Sequence, residues 1–282
     1  MTDDSTPAGA RDRALASARL AVRVGRETVE IAQRTQATFL AAAVAYYAFV
    51  SLVPLLVVAL AAASTVGGEA AVDRWLVRGE AVLTPATREL VTDALVGGTG
   101  QVGATALGTV VLLWSALKLF RGMDKAFSQV FGTVGSKGFV GEIRDGLVVA
   151  IAIPVGVTVV TLVGFALAVL PLGPAGGPIG TALVVATLVA LFFPLYYVLP
   201  DRRLTARAAL PGAVFAAVGW TVLAVGFRLY LEIAVAAALY GVLGGIFLLV
   251  TLLYAGALIL ILGAALNAAL LAVAGIEPPV EP

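Results

Sequence analysis

Stretches without a single charged side chain recur along this sequence, the longest covering residues 146–200, and they decide the fold class. A soluble core does not need uncharged segments of that length. A bilayer does, because its hydrocarbon is about 30 Å thick and each helical crossing takes about 20 apolar residues. Charged residues make up 12% of the 282-residue chain, against about 25% in soluble domains. The chain therefore reads as all-α, a polytopic integral membrane protein.

Six segments are long and apolar enough to span: 38–63, 102–120, 147–170, 179–199, 208–231 and 241–272. They make one transmembrane domain over 38–272, preceded by a cytoplasmic segment (1–37) and followed by a short cytoplasmic tail (273–282). Ala61-Ala62-Ala63-Ser64 imitates a signal-peptide cleavage site. The apolar run before it is far longer than an h-region of about 7–15 residues, so an uncleaved span is expected.

Basic residues set the orientation. The N-terminal segment holds Arg11, Arg13, Arg19, Arg23, Arg26 and Arg34; the second connection, with the end of span 2, holds Lys118, Arg121, Lys125, Lys137 and Arg144; the fourth holds Arg202, Arg203 and Arg207. The other side has only Arg74, Arg78, Arg88 and Arg228. Fourteen against four puts both termini in the cytoplasm, in a multi-pass protein of the cell membrane. Scarce Lys beside abundant Arg, Ala, Val and Gly is the usage of a GC-rich prokaryote.

From Arg11 to Gln36 the pattern is helical, with Arg19, Arg23, Arg26, Glu30 and Arg34 along one stripe and apolar residues around the rest. This predicts an amphipathic helix in the membrane interface, with Arg19, Arg23, Arg26 and Arg34 as candidate contacts for anionic lipid headgroups. The alternative is a cytoplasmic helix packed on the bundle. The external connection 64–101 holds a Thr84-Pro85 helix start, and reads either as a lid or as a packed hairpin of interfacial helices.

Polar groups in hydrocarbon are costly and mark candidate function. Tyr47, Ser51 and Pro54 share one face of span 1, where Pro54 bends the helix and the Ser51 hydroxyl can return to the Tyr47 carbonyl. Pro154 and Pro194 offer bends in spans 3 and 4. Arg228 and Glu232 lie one turn apart and can pair. Asn267 can bond between helices, and Gly241 with Gly245 forms a GxxxG at the start of span 6. Tyr47, Ser51, Pro54, Arg228, Glu232 and Asn267 are thus the candidate cavity or pathway residues, with helix packing as the competing role.

The chain has no His and no Cys, which removes imidazole and thiolate metal sites and Ser–His or Cys nucleophiles. No Walker-type Lys follows a Gly-rich stretch. No cofactor, no metal and no enzymatic activity are expected, and a net charge of +1 gives nucleic acid no electrostatic footing. The bilayer is the expected partner; a homo-oligomer or an envelope partner is left open.

Four stretches together resemble the YihY/virulence factor BrkB family of inner-membrane proteins, long mislabelled ribonuclease BN. They are Thr38 through Pro54, with its alanines, paired tyrosines and Ser-Leu-Val-Pro; Leu113-Trp-Ser-Ala116 with Ala126-Phe-Ser-Gln-Val-Phe-Gly132; Tyr196-Tyr-Val-Leu-Pro200 with Ala209-Leu-Pro-Gly212; and Leu239-Tyr-Gly241 with Leu262-Gly-Ala-Ala-Leu-Asn-Ala268. Ser128 stands where Asn is expected and Ala265 where many members carry Glu. The resemblance implies six spans and no settled activity. A transporter- or channel-like role for lipid or another amphiphile leads, an accessory role in envelope integrity is the alternative, and ribonuclease chemistry is rejected for want of groups to perform it.

Overall fold

The computed structural model describes residues 7–52, 100–133, 176–200, 204–234 and 241–275, and single positions between 146 and 162. Pro54, Pro154 and the external connection lie outside the described residues. Every regular element among the described residues is helical: α1 (Pro7–Arg34), α2 (Ala37–Leu52), α3 (Gly100–Phe131), α4 (Gly176–Val198), α5 (Ala206–Ala234) and α6 (Gly241–Val273). Of the expected span 147–170, the described positions are helical.

Three helices are long and apolar enough to cross a membrane, within Gly177–Val198, Ala206–Leu231 and Gly244–Val273. The bent pair α1–α2 makes a fourth if taken as one span. The two helices meet at 63°. The Thr35 hydroxyl and amide both donate to the Ile31 carbonyl (2.8 and 2.9 Å). Gln36 then takes φ +52°, a left-handed conformation that favours Gly, and its carbonyl accepts from the amides of Phe39 and Leu40 to start α2.

Helix α3 runs eleven residues beyond the expected end of span 2. Its last turns bury Met123, Ala126, Phe127, Val130 and Phe131 while Arg121 and Lys125 stay exposed. That is amphipathic spacing, which a search for uncharged runs passes over. Gly132 ends the helix at φ +68°, with the Thr133 amide donating back to the Ser128 carbonyl (2.9 Å), the pattern of a Schellman cap.

The chain divides into two compact units. The first comprises Met1–Ala41, Met123–Ala224 and Gly256–Pro282. Its core is built on small residues: Ala209, Ala213, Ala216 and Ala217 of α5 and Ala257, Ala264, Ala265 and Ala269 of α6 are buried. Phe127, Phe192, Tyr196, Leu199 and Ile261 fill the space between them, while other large apolar residues, among them Leu183, Val218 and Val222, point outward. Small side chains inside let helix backbones approach, and bulky ones outside suit lipid. In the second unit (Ala42–Gly122 and Val225–Ala255) Phe247 is 75% exposed. Gly245, half of the expected GxxxG, faces open space among the described residues; the close glycine contacts of α6 are made by Gly256 and Gly263.

Candidate functional site

Three groups of side chains could carry function, each within one unit. The first is a fully buried polar junction in the first unit. Asn267 of α6 accepts from the Gly212 amide (2.7 Å) through Oδ1 and donates from Nδ2 to the Ala209 carbonyl (3.1 Å). The amide thus spans the backbone around Pro211, the residue in α5 that has no N–H of its own. The Tyr196 hydroxyl of α4 donates to the Leu260 carbonyl (2.8 Å), and its ring packs on Phe127 with centroids 5.4 Å apart. A Cβ on Gly212 would stand 2.6 Å from both Asn267 Nδ2 and the Gly263 carbonyl oxygen, so glycine is required there for close approach. Tyr196, Leu199 and Asn267 are essentially sealed. This arrangement binds helices together and leaves no room for a solute.

The second group is a cleft of about 180 Å3 in the second unit, lined by Tyr46, Tyr47, Val50, Trp114 and Lys118. The paired tyrosines of α2 meet edge to face at 5.6 Å, and Tyr47 lies against Gly122 of α3, where a Cβ would come within 3.2 Å of its ring. Trp114 and Lys118 are one turn apart on α3, which lays the ammonium over the indole at 5.6 Å, inside cation–π range. Tyr46 and Trp114 are exposed. Among the described residues the walls are largely aromatic and the one charged side chain is positive. Such a surface accepts an apolar chain with an anionic end, and Trp, Tyr and Lys are the side chains that settle at the bilayer interface.

The third lies along α1. Arg19, Arg23, Arg26 and Arg34 are all exposed. Val24 and Ile31 are buried, while Leu15, Val22 and Val29, spaced by seven, form an exposed apolar ridge. The helix therefore has one face on protein and another free.

Of the remaining candidates, Ser51 donates to the Ala48 carbonyl (2.7 Å), three residues back, where the expected acceptor was that of Tyr47, four back; a helical Ser reaches either from different rotamers. Arg228 is exposed near the end of α5, and Glu232 follows in the same helix. Neither Ser51, Arg228 nor Asn267 lines the aromatic cleft. Sequence reasoning named Tyr47 a cavity candidate in the company of Ser51 and Pro54, and did not name Tyr46, Trp114 and Lys118, which share this cleft with it. The signal available was the Trp–Lys pair at helical i, i+4 spacing.

Comparison with known proteins adds a family and one relative. The family described as Virulence factor BrkB matches residues 28–279. The putative ribonuclease-like protein YfkH of Bacillus subtilis (strain 168) is 38% identical over 84 residues, 29% of this chain and 30% of the relative. The match thus spans less than a third of that curated relative's length. No solved structure matches.

Proposed function

This chain belongs to the Virulence factor BrkB family, and for this member of it we propose a transporter- or channel-like protein that moves a lipid or another amphiphile. It crosses the cell membrane six times, with both termini cytoplasmic. The topology rests on six apolar segments in the sequence and the fourteen-to-four distribution of Lys and Arg; the described helices supply three of those spans, or four with the bent pair.

One observation carries the transport reading: the cleft in which Tyr46, Tyr47, Val50 and Trp114 form an apolar wall beside the cation Lys118. An acyl chain fits the aromatic side and a phosphate or carboxylate the ammonium. Nuclease chemistry stays outside this reading despite the relative's name, because the chain has no His to serve as general base and the described residues hold no carboxylate cluster fit for a catalytic metal ion.

A second reading, an accessory protein of the envelope, is favoured by the sealed junction around Tyr196 and Asn267. Flux separates the two. Full-length protein is reconstituted into vesicles carrying a headgroup-labelled fluorescent phospholipid, and loss of the outer label to an impermeant reductant is followed. Transport predicts bleaching beyond the outer-leaflet half, slowed by Lys118→Gln and by Trp114→Ala. Bleaching that stops at the level of protein-free vesicles would reject transport and leave the accessory role.

A further inference from the structure

Helix α1 and the end of α6 flank an open groove of about 270 Å3 whose charged lining is Arg23, Arg26, Glu27 and Glu30, with Ala272 and Val273 on its other wall. Both signs of charge face one space. Arg23–Glu27 and Arg26–Glu30 have the i, i+4 spacing of helix ion pairs, but with the cation on the N-terminal side, the weaker order against the helix dipole. Among the described residues no ion pair joins them. Two guanidinium groups and two carboxylates are thus available to something else.

The depth of the groove follows from helix length. The apolar segment Gly244–Val273 has 30 residues, about 45 Å of helix at 1.5 Å per residue, against hydrocarbon about 30 Å thick. Its last residues, Ala272 and Val273, therefore emerge at the level of the headgroups. The free ridge Leu15, Val22 and Val29 on α1 belongs at the same level, apolar side toward the acyl chains.

A purely anionic headgroup suits this groove poorly, because Glu27 and Glu30 would repel it. We propose that the groove binds a zwitterionic phosphoethanolamine group, carried by a membrane phospholipid or by a soluble phosphoamine. Arg23 and Arg26 take the phosphate oxygens in charge-assisted hydrogen bonds. Glu27 and Glu30 accept from the primary ammonium, and the negative end of the α6 dipole adds to their field. The arginine stripe alone reads as a site for anionic lipid; the two carboxylates in the same groove change the ligand to one with both charges. The site is independent of transport, since a protein that moves nothing can still hold this group.

The test uses full-length protein in detergent and measures apparent Kd from the ligand-dependent rise in Tm. The probes are dihexanoyl phosphatidylethanolamine, dihexanoyl phosphatidylglycerol, O-phosphoethanolamine and inorganic phosphate. Phosphatidylethanolamine should bind at least about tenfold more tightly than phosphatidylglycerol, a difference of about 1.4 kcal/mol. Glu27→Gln/Glu30→Gln should abolish that preference, and Glu27→Gln alone should reduce it. Arg23→Gln/Arg26→Gln should weaken both lipids. Tighter binding of the lipid than of O-phosphoethanolamine identifies a bilayer ligand; equal binding identifies a soluble phosphoamine. Phosphatidylglycerol binding as tightly as phosphatidylethanolamine, inorganic phosphate matching O-phosphoethanolamine, or a preference that survives loss of both carboxylates would each overturn the proposal.

Discussion

Asn267→Ala is the perturbation with the most direct consequence. It removes the acceptor of the Gly212 amide (2.7 Å) and the donor to the Ala209 carbonyl (3.1 Å) at a fully buried position. Hydrogen bonds between membrane helices average about 0.6 kcal/mol and reach about 1.7, so two of them imply a loss of about 1–3 kcal/mol. Gly212→Ala attacks the same contact from the other side. Its new Cβ would sit 2.6 Å from Nδ2 and 2.6 Å from the Gly263 carbonyl, and a backbone oxygen cannot rotate away. Overpacking of this kind costs about 1–3 kcal/mol, and the upper end is expected. Gly226→Ala, on the same helix but with nothing within 4 Å of its added Cβ, is the control and should be neutral or slightly stabilising. The double variant Gly212→Ala/Asn267→Ala should lose less than the sum of the singles, because removing the amide relieves one of the two clashes; a coupling of at least about 0.5 kcal/mol is expected for residues in contact. Equilibrium unfolding of the full-length protein in mixed micelles gives all four values. An Asn267→Ala variant within about 0.3 kcal/mol of wild type, or a Gly212→Ala no worse than Gly226→Ala, would refute the clamp.

Single cysteines at Ser5, Thr99, Ser136 and Pro279, in a chain with no native Cys, should give impermeant labelling in intact cells at position 99 alone; labelling at 136 would reverse the topology. Glu232→Ala should lower abundance in cells and stability in detergent more than Ser51→Ala, whose lost bond runs to the carbonyl of its own helix at Ala48 and costs little. Equal effects would place the Arg228 guanidinium in bulk water. With Trp75 and Trp220 changed to Phe, the Trp114 fluorescence should be quenched more by lipids brominated near the headgroup than at the chain end, and the opposite order would move the Trp114–Lys118 pair away from the interface.

The all-helical class and three of the helix boundaries were legible because the cues are local. Spans read as 179–199, 208–231 and 241–272 are the helices Gly176–Val198, Ala206–Ala234 and Gly241–Val273. Thr205 starts α5 with its hydroxyl accepting from the Ala208 amide, and Gly275 at φ +71° closes α6; both are residue types whose role can be read in advance. The reach of α3 to Phe131 was not legible by the same rule, because apolarity stops at Lys118 while the buried periodicity of Met123, Phe127 and Val130 continues.

The cost of a polar group in hydrocarbon singled out Asn267, with bonding between helices and the lining of a cavity both open, but could not name its partners. Its partners are backbone atoms at Ala209 and Gly212, and a backbone carbonyl advertises nothing in a sequence. The same limit explains why the quoted motifs do not all mean one thing. Tyr196, Gly212, Gly263 and Asn267 are consumed by a contact in which every polar atom named is already paired and a methyl group has no room. Tyr46, Tyr47 and Trp114 come from the other motif pieces, and two of the three are exposed around a cleft. Substitutions in the two sets should therefore separate, the first changing how much protein survives and the second changing what the surviving protein does.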